Sequence, residues 1–302
     1  MPHHPLREKV ILSFVENWKR AQPANATIAV EFLTSIYDRF RAEGLADRTF
    51  ETQLARGSTE TYCQRVAELL LADMLWKDGF SLKSSSAGPD FHITKEGKSA
   101  WVELQTPQPM GIPPEYLERP GKTPVARGVP HNAVNLRWTS AIAEKNRQLR
   151  RYLQSGIVKA DEPYIIAVNA RLLNPMAMTG LYGVSQKPAP VEVLFSLGPI
   201  QIEIDRATGE IVDQYHQYRP RIEKLGSETG VEADTFLDSR NACVSAVLGL
   251  DLLEQVALKG EHHSALVYNP LAINPVSPRW ITAQEHWRCA IDPDASLRVT
   301  KL

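Results

Sequence analysis

The segment from residue 91 to residue 105 alternates apolar and polar side chains on both sides of the dipeptide Glu96-Gly97. Alternation with a period of two is typical of a β-strand, and a glycine between two such runs favours a tight turn. The segments Phe91–Lys95 and Ser99–Gln105 are therefore predicted to form a β-hairpin. This hairpin constrains the fold more than any other feature, because its register decides which side chains share a face.

A turn centred on Glu96-Gly97 places Asp90 opposite Glu103. Side chains that face each other across antiparallel strands point to the same side, with Cβ atoms about 4.5–5.5 Å apart. Gln105 lies two residues after Glu103 and shares that side. A register shifted by one residue would instead make Asp90 a turn residue and leave Glu103 solvated.

Two adjacent carboxylates repel each other, and like charges facing each other across strands destabilise a sheet. A divalent cation removes this repulsion. Carboxylate oxygens suit Mg²⁺ and Mn²⁺, and Mg²⁺ usually takes one or two carboxylates and keeps positions for water and phosphate oxygens. Asp90 and Glu103 are therefore the candidate metal ligands.

Composition limits the class of protein. The chain has 302 residues, 43% of them apolar and 23% charged, which is typical of a globular protein with a substantial core. A formal net charge of −1 argues against binding nucleic acid by bulk charge, although a local basic groove is compatible with it. The three cysteines have no metal-site spacing, and the sequence contains neither a signal peptide nor an apolar run of transmembrane length. We therefore expect a cytoplasmic protein with no membrane partner.

Local patterns predict the order of elements up to residue 169. The predicted elements are two helices within residues 5–45, a helix Ser58–Trp76, a strand Phe80–Lys83, the hairpin, a proline-rich loop Thr106–Pro130, a helix Asn132–Gln154 and an apolar strand Tyr164–Asn169. This order predicts an α/β fold with a mixed sheet and a crossover helix.

The C-terminal part of the chain has weaker patterns. Its predicted elements are the strands Val191–Phe195, Pro199–Arg206, Glu210–Tyr215 and Ser264–Asn269 and a helix Asn241–Val256. We divide the chain into an N-terminal helical element over 1–56, a core over 57–175 and a β-rich C-terminal part over 176–302. The sequence leaves open whether this last part is a second domain or extends the first sheet.

The triplet Gly88-Pro89-Asp90, followed after a short gap by Glu103-Leu104-Gln105 on an apolar strand, resembles the motif of the PD-(D/E)xK nuclease superfamily. The resemblance covers about residues 57–170 and includes the order of the surrounding elements. It implies a restriction-endonuclease-like mixed sheet flanked by helices. It also implies metal-dependent hydrolysis of phosphodiester bonds, with DNA as the first candidate substrate, and it is compatible with a homodimer.

The same resemblance assigns roles to individual residues. Asp90 and Glu103 correspond to the metal-binding carboxylates, and Glu68 to the acidic residue that many members carry on the preceding helix. Gln105 stands where the family usually has lysine. Two consequences remain open: catalysis with Glu-x-Gln, as in some restriction enzymes, or a non-catalytic nucleic-acid-binding or scaffold protein on the same fold.

The missing lysine has a candidate replacement on the helix Asn132–Gln154. Lys145 falls within its apolar stripe, three residues after Ile142 and four before Leu149, and is predicted to face the sheet. In the alternative, its stem packs there while the ammonium reaches solvent.

Glu68 occupies a helix that is apolar almost all round. A buried carboxylate needs a partner or a metal, so Glu68 is a candidate site residue. The alternative is a salt bridge or an exposed position near Arg65.

Basic residues near these positions suggest a path for nucleic acid. The candidates are Arg147, Arg150 and Arg151 on the predicted helix and Arg119, Lys122 and Arg127 in the proline-rich loop. Such residues bind a phosphate backbone beside the carboxylates in this interpretation. In the alternative, the helix presents an ordinary solvated face.

Overall fold

A computed structural model describes residues 5–21, 26–85, 87–118, 128–173, 181–224, 229–254, 262–292 and 297–302. The helices in these ranges are α1 (Pro5–Ala21), α2 (Ala26–Ala42), α3 (Arg48–Arg56), α4 (Thr59–Lys77), α5 (Pro114–Leu117), α6 (His131–Ser155) and α7 (Ala189–Phe195). The strands are β1 (Ser81–Lys83), β2 (Phe91–Lys95), β3 (Lys98–Gln105), β4 (Tyr164–Asn169), β5 (Leu197–Ile204), β6 (Ile211–Tyr218), β7 (Arg221–Glu223), β8 (Gly230–Glu232), β9 (Ala246–Asp251), β10 (His263–Tyr268), β11 (Glu285–Ile291) and β12 (Leu297–Lys301).

Within the described ranges, eight strands form one mixed sheet with the order β1-β2-β3-β4-β9-β10-β11-β12. Strands β3, β4 and β9 are parallel to one another, and the flanking β1-β2-β3 and β9-β10 pairs are antiparallel. β10 is parallel to β11, and β11 is antiparallel to β12. The predicted α/β class and the mixed sheet are therefore confirmed.

The hairpin β2-β3 has the predicted register, with His92 opposite Trp101 and Lys95 opposite Lys98. Glu96 and Gly97 both have positive φ, at 54° and 73°, as a two-residue turn of type I′ requires. This turn geometry matches the right-handed twist of the strands. The alternative of a register shifted by one residue is excluded.

Helices cover both faces of the sheet and bury two hydrophobic cores. α1 to α4 pack against one face, where β3 contributes Ala100, Val102 and Leu104. α6 and α7 pack against the other face, where β4 contributes Ile166 and Val168. Because side chains alternate along a strand, Trp101, Glu103 and Gln105 point to the α6 side.

Two predicted elements in the C-terminal part are wrong. Val191–Phe195, predicted as a strand, belongs to helix α7, in which every residue is buried. Periodicity cannot separate a buried helical turn from a buried strand in so short an apolar run, and Pro190 in the first turn favours a helix. The predicted helix Asn241–Val256 contains instead strand β9, which is buried on both faces between β4 and β10.

The C-terminal strands continue the first sheet. β9 pairs with β4 in parallel, so that β9 to β12 extend the sheet begun by the hairpin. The strands β5 and β6 form a separate two-stranded sheet close to the predicted positions.

The predicted domain boundaries at residues 56 and 175 remain predictions. The predicted loop Thr106–Pro130 contains the short helix α5.

None of the helices that the structure describes combines the length and the apolar character needed to cross a lipid bilayer.

The turn of the hairpin gives a test of the fold. Glu96 adopts a left-handed conformation that costs most residues about 1–2 kcal/mol but that asparagine tolerates. We expect Glu96→Asn to raise the free energy of unfolding by about 0.5–1 kcal/mol in urea denaturation and Glu96→Val to lower it. A stabilising Glu96→Val would contradict this turn.

Candidate active site

The five side chains with predicted catalytic roles line one cleft of about 710 Å³. They are Glu68 on α4, Asp90 immediately before β2, Glu103 and Gln105 on β3, and Lys145 on α6. The cleft therefore lies where the C-terminal end of β3 passes between α4 and α6. Elements separated by tens of residues in the sequence bring their polar groups to this one place.

Asp90 and Glu103 are adjacent, and each carboxylate binds a backbone amide of the other strand segment. The amide of Asp90 donates to Oε2 of Glu103 over 3.2 Å, and the amide of Leu104 donates to Oδ2 of Asp90 over 2.7 Å. This exchange holds the two carboxylates together despite their like charge. Among the described residues, Oδ1 of Asp90 has no hydrogen-bond partner.

Strand β3 extends beyond β2, and side chains replace the missing strand there. The Gln64 amide accepts from the backbone amide of Thr106 over 2.7 Å and donates to the carbonyl of Leu104 over 3.4 Å. Asp90 satisfies the amide of Leu104 in the same way. Sequence reasoning did not select Gln64, although its spacing of four residues before Glu68 places both on one face of α4.

Lys145 reaches Glu103 from the opposite side of the cleft. Its Nζ donates to Oε1 of Glu103 over 2.7 Å, and its side chain is only 11% exposed. Nζ also lies 3.3 Å from Oε1 of Gln148. The prediction that Lys145 faces the sheet is confirmed, and the alternative of a solvated ammonium is excluded.

Glu68 is buried and forms an ion pair with Arg65, which was the alternative interpretation. Nη1 of Arg65 lies 2.7 Å from each oxygen of the Glu68 carboxylate. Gln64 donates to the same carboxylate over 3.0 Å, and Arg65 is itself held by Gln53. Arg65 and Gln64 therefore satisfy the Glu68 carboxyl group at the edge of the cleft.

Burial raises the pKa of all three carboxyl groups. Loss of hydration, together with repulsion from Asp90, raises the pKa of Glu68 to about 8 and that of Glu103 to about 7. Burial also raises the pKa of Asp90, against the opposing effects of Lys145 and of the amide of Leu104. Within the described residues, two cations, Arg65 and Lys145, are ion-paired with these three carboxyl groups, so the cluster favours a further positive charge.

The donor set fits a hard divalent cation held by Asp90 and Glu103. Both offer carboxylate oxygens, which such ions prefer, and Asp90 keeps one oxygen without a protein partner in the described part of the chain. Within the described residues, no three His, Cys, Asp or Glu side chains are arranged to hold one ion. An ion at this place would complete its coordination with water and phosphate oxygens, as Mg²⁺ commonly does.

The predicted basic path is placed differently. Arg147, Arg150 and Arg151 are exposed and do not line the cleft. Arg150 donates a hydrogen bond to the backbone carbonyl of Arg240. A basic α6 residue that does line the cleft is Arg137. It precedes Lys145 by eight residues, and helical spacing could have identified it. The other three candidates, Arg119, Lys122 and Arg127, lie outside the described residues.

No family model, curated protein or solved structure matches this chain. The resemblance to the PD-(D/E)xK nucleases therefore remains a prediction.

The raised pKa values predict how stability depends on pH. Between the ordinary value of 4.5 and the folded values of about 7 and 8, Glu103 and Glu68 retain protons in the folded state that the unfolded state has released. The free energy of unfolding of the metal-free protein therefore falls as pH rises through this window. We expect Glu68→Gln to reduce this fall by on the order of 1–3 kcal/mol.

Urea denaturation in a chelator at pH 5 and pH 8.5 measures the effect. Glu210→Gln, at an exposed carboxylate outside the cleft, is the matched control and leaves the fall unchanged. An equal pH dependence in Glu68→Gln and the native protein would contradict the raised pKa of Glu68.

Proposed function

We propose that this protein is a metal-dependent nuclease that hydrolyses phosphodiester bonds, with DNA as the first candidate substrate. The observation that carries the proposal is the pair of adjacent carboxylates, half-buried Asp90 and buried Glu103, with the Lys145 ammonium bonded to Glu103. Paired carboxylates and a cation in an open cleft suit a site that binds a divalent ion together with a phosphate.

Lys145 favours a catalytic site over a site that binds nucleic acid without cleaving it. In the resembled family the cation follows the second carboxylate by two residues, and here that position is Gln105. Lys145 brings an ammonium to Glu103 from α6 instead. The charge that the Glu-x-Gln motif lacks is thus supplied by another element.

The chemistry is the addition of a water oxygen to phosphorus while the bond from phosphorus to the leaving oxygen breaks, and the leaving oxygen takes up a proton. When bound, Mg²⁺ or Mn²⁺ stabilises the negative charge of the reacting phosphate and acidifies water. Asp90 and Glu103 would hold the ion. Lys145 keeps Glu103 oriented and adds positive charge near the phosphate.

Gln105 and Glu68 have supporting roles in this proposal. Gln105 lines the cleft and is only half-buried, so its amide is available to hydrogen-bond and orient the attacking water. Glu68, paired with Arg65, lines the same cleft and has a pKa raised to about 8. A group of this kind retains its proton near neutral pH and can donate it to a reacting group.

Gln105 also favours a second candidate function, a nucleic-acid-binding protein that does not cut. A neutral amide cannot provide the electrostatic stabilisation of an ammonium, and Lys145 already neutralises Glu103 without a metal. This alternative predicts nucleic-acid binding with no cleavage of DNA or RNA in Mg²⁺ or Mn²⁺.

Removal of either metal-binding carboxylate tests the function. We expect Asp90→Asn and Glu103→Gln each to lower Mg²⁺-dependent cleavage of DNA roughly 100-fold or more, because bound metal ions contribute several kcal/mol to such reactions. Gel assays under single-turnover conditions measure the rate, and Glu210→Gln serves as the control. Full cleavage by both carboxylate variants would exclude this site.

The position of the cation gives an independent test. We expect Lys145→Met to lower the cleavage rate about 10- to 100-fold through loss of electrostatic stabilisation. Adding Gln105→Lys to Lys145→Met returns an ammonium to the strand position beside Glu103 and should restore part of the rate. An unchanged rate in Lys145→Met would remove Lys145 from the mechanism.

A further inference from the structure

A second cavity, of about 1270 Å³, opens beside the carboxylate cleft and shares Met110, Arg137 and Ser140 with it. We propose that this cavity binds an unpaired, single-stranded segment of the nucleic acid that enters the cleft, and that Arg137 contacts a phosphate where the two cavities meet. The inference rests on the proposed function and extends it to the form of the substrate.

The size and continuity of the cavity favour a polymeric ligand. Pockets for single small molecules usually measure about 300–1,000 Å³. This cavity exceeds that range before the adjoining cleft is added. A ligand that fills both must be long, and a chain of nucleotides is long enough to extend from the carboxylates into the second cavity.

Arg137 lies where the two cavities meet, and one of its N–H groups is available to a ligand. Its side chain is half-buried, and Nη2 donates to Oγ of Ser140 over 3.2 Å. Its Nε is buried and has no hydrogen-bond partner within the described residues. A buried guanidinium N–H without an acceptor is costly, and rotation of this half-buried side chain toward a phosphate oxygen in the cavity would satisfy it.

The charge of the second cavity suits a polyanion. Among the residues that the structure describes, its charged lining residues are Arg137, Arg219, Lys224 and Glu223, so three cations face one carboxylate in a chain whose formal net charge is −1. Arg219 is already oriented by a hydrogen bond of 2.5 Å to Asn132. The excess of positive charge is thus local to this groove.

The apolar part of the lining distinguishes a single strand from a duplex. Met110, Pro113, Val129, Leu136 and Val184 contribute to the wall. A duplex presents sugars and phosphates outward and keeps its base faces stacked inside. Apolar walls beside basic residues instead suit unstacked bases with their phosphates, the arrangement by which proteins bind single strands.

Helix geometry gives the length of this segment. Arg137 precedes Lys145 by eight residues on α6, which corresponds to about 12 Å along the helix axis. A stacked strand advances about 3.4 Å per nucleotide and an unstacked strand advances further, so the Arg137 phosphate lies at most roughly three to four nucleotides from the carboxylates.

The experiment measures binding separately from cleavage. Fluorescence anisotropy with labelled 12-nucleotide single-stranded DNA, its RNA counterpart and the matched duplex DNA is recorded in Ca²⁺ or chelator, with the full chain, at several salt concentrations. We expect the native protein to bind at least one single strand more tightly than the duplex. We expect Arg137→Ala to weaken that binding about 5- to 20-fold.

The salt dependence identifies a lost phosphate contact. Each phosphate contact to a single strand contributes about −0.7 to the slope of log affinity against log salt concentration, so Arg137→Ala should make the slope shallower by about 0.7. Val184→Glu places a carboxylate on the apolar wall and should also weaken binding. Arg288→Ala, at an exposed arginine on β11, is the charge-matched control and should change neither quantity.

The possible results separate this inference from the proposed function. Arg137-dependent binding of a single strand without any cleavage in Mg²⁺ or Mn²⁺ would support the second cavity and contradict the nuclease. Cleavage that requires Asp90 and Glu103 but is insensitive to Arg137→Ala and Val184→Glu would support the nuclease and overturn the second cavity. Preferential binding of the duplex would also overturn it.

Discussion

The candidate site depends on how the backbone of β3 is satisfied where β2 no longer accompanies it. The carboxylate of Asp90 and the amide of Gln64 bind the backbone groups of Leu104 and Thr106 that have no partner on β2. An unsatisfied backbone group in this partly buried place would cost about 1–3 kcal/mol. The same hydrogen bonds fix Asp90 next to Glu103, so the contacts that satisfy the end of β3 also position the pair of carboxylates.

The electrostatics of the cleft follow from this placement of the carboxylates at the end of β3. Three carboxylates lie in a region with little hydration, and two cations, Arg65 and Lys145, each bind one of them. Burial raises the pKa of all three groups, and repulsion from Asp90 adds to the rise at Glu68 and Glu103. A structure that keeps such a costly cluster at the floor of an open cleft is more readily explained by binding than by stability, because buried ion pairs contribute little net stability.

Local sequence patterns were sufficient for the part of the fold around this cluster. The alternation in β2 and β3 and the Glu96-Gly97 turn determined the register, and with it the proximity of Asp90 and Glu103. The apolar stripe of α6 placed Lys145 toward the sheet. The local patterns gave the wrong element for α7 and β9, because a short apolar run that is buried on all sides has no periodicity. Only the elements packed around such a run decide between helix and strand.

The sequence by itself thus determined the hairpin, its paired carboxylates and the helix face that carries Lys145, since each depends on contacts between residues close in the chain or on one helical or strand period. Only the tertiary structure decided the burial of Glu68, the role of Gln64 and the position of Arg137 between two cavities. These features depend on how α4, β3 and α6 pack against one another, which no local period records.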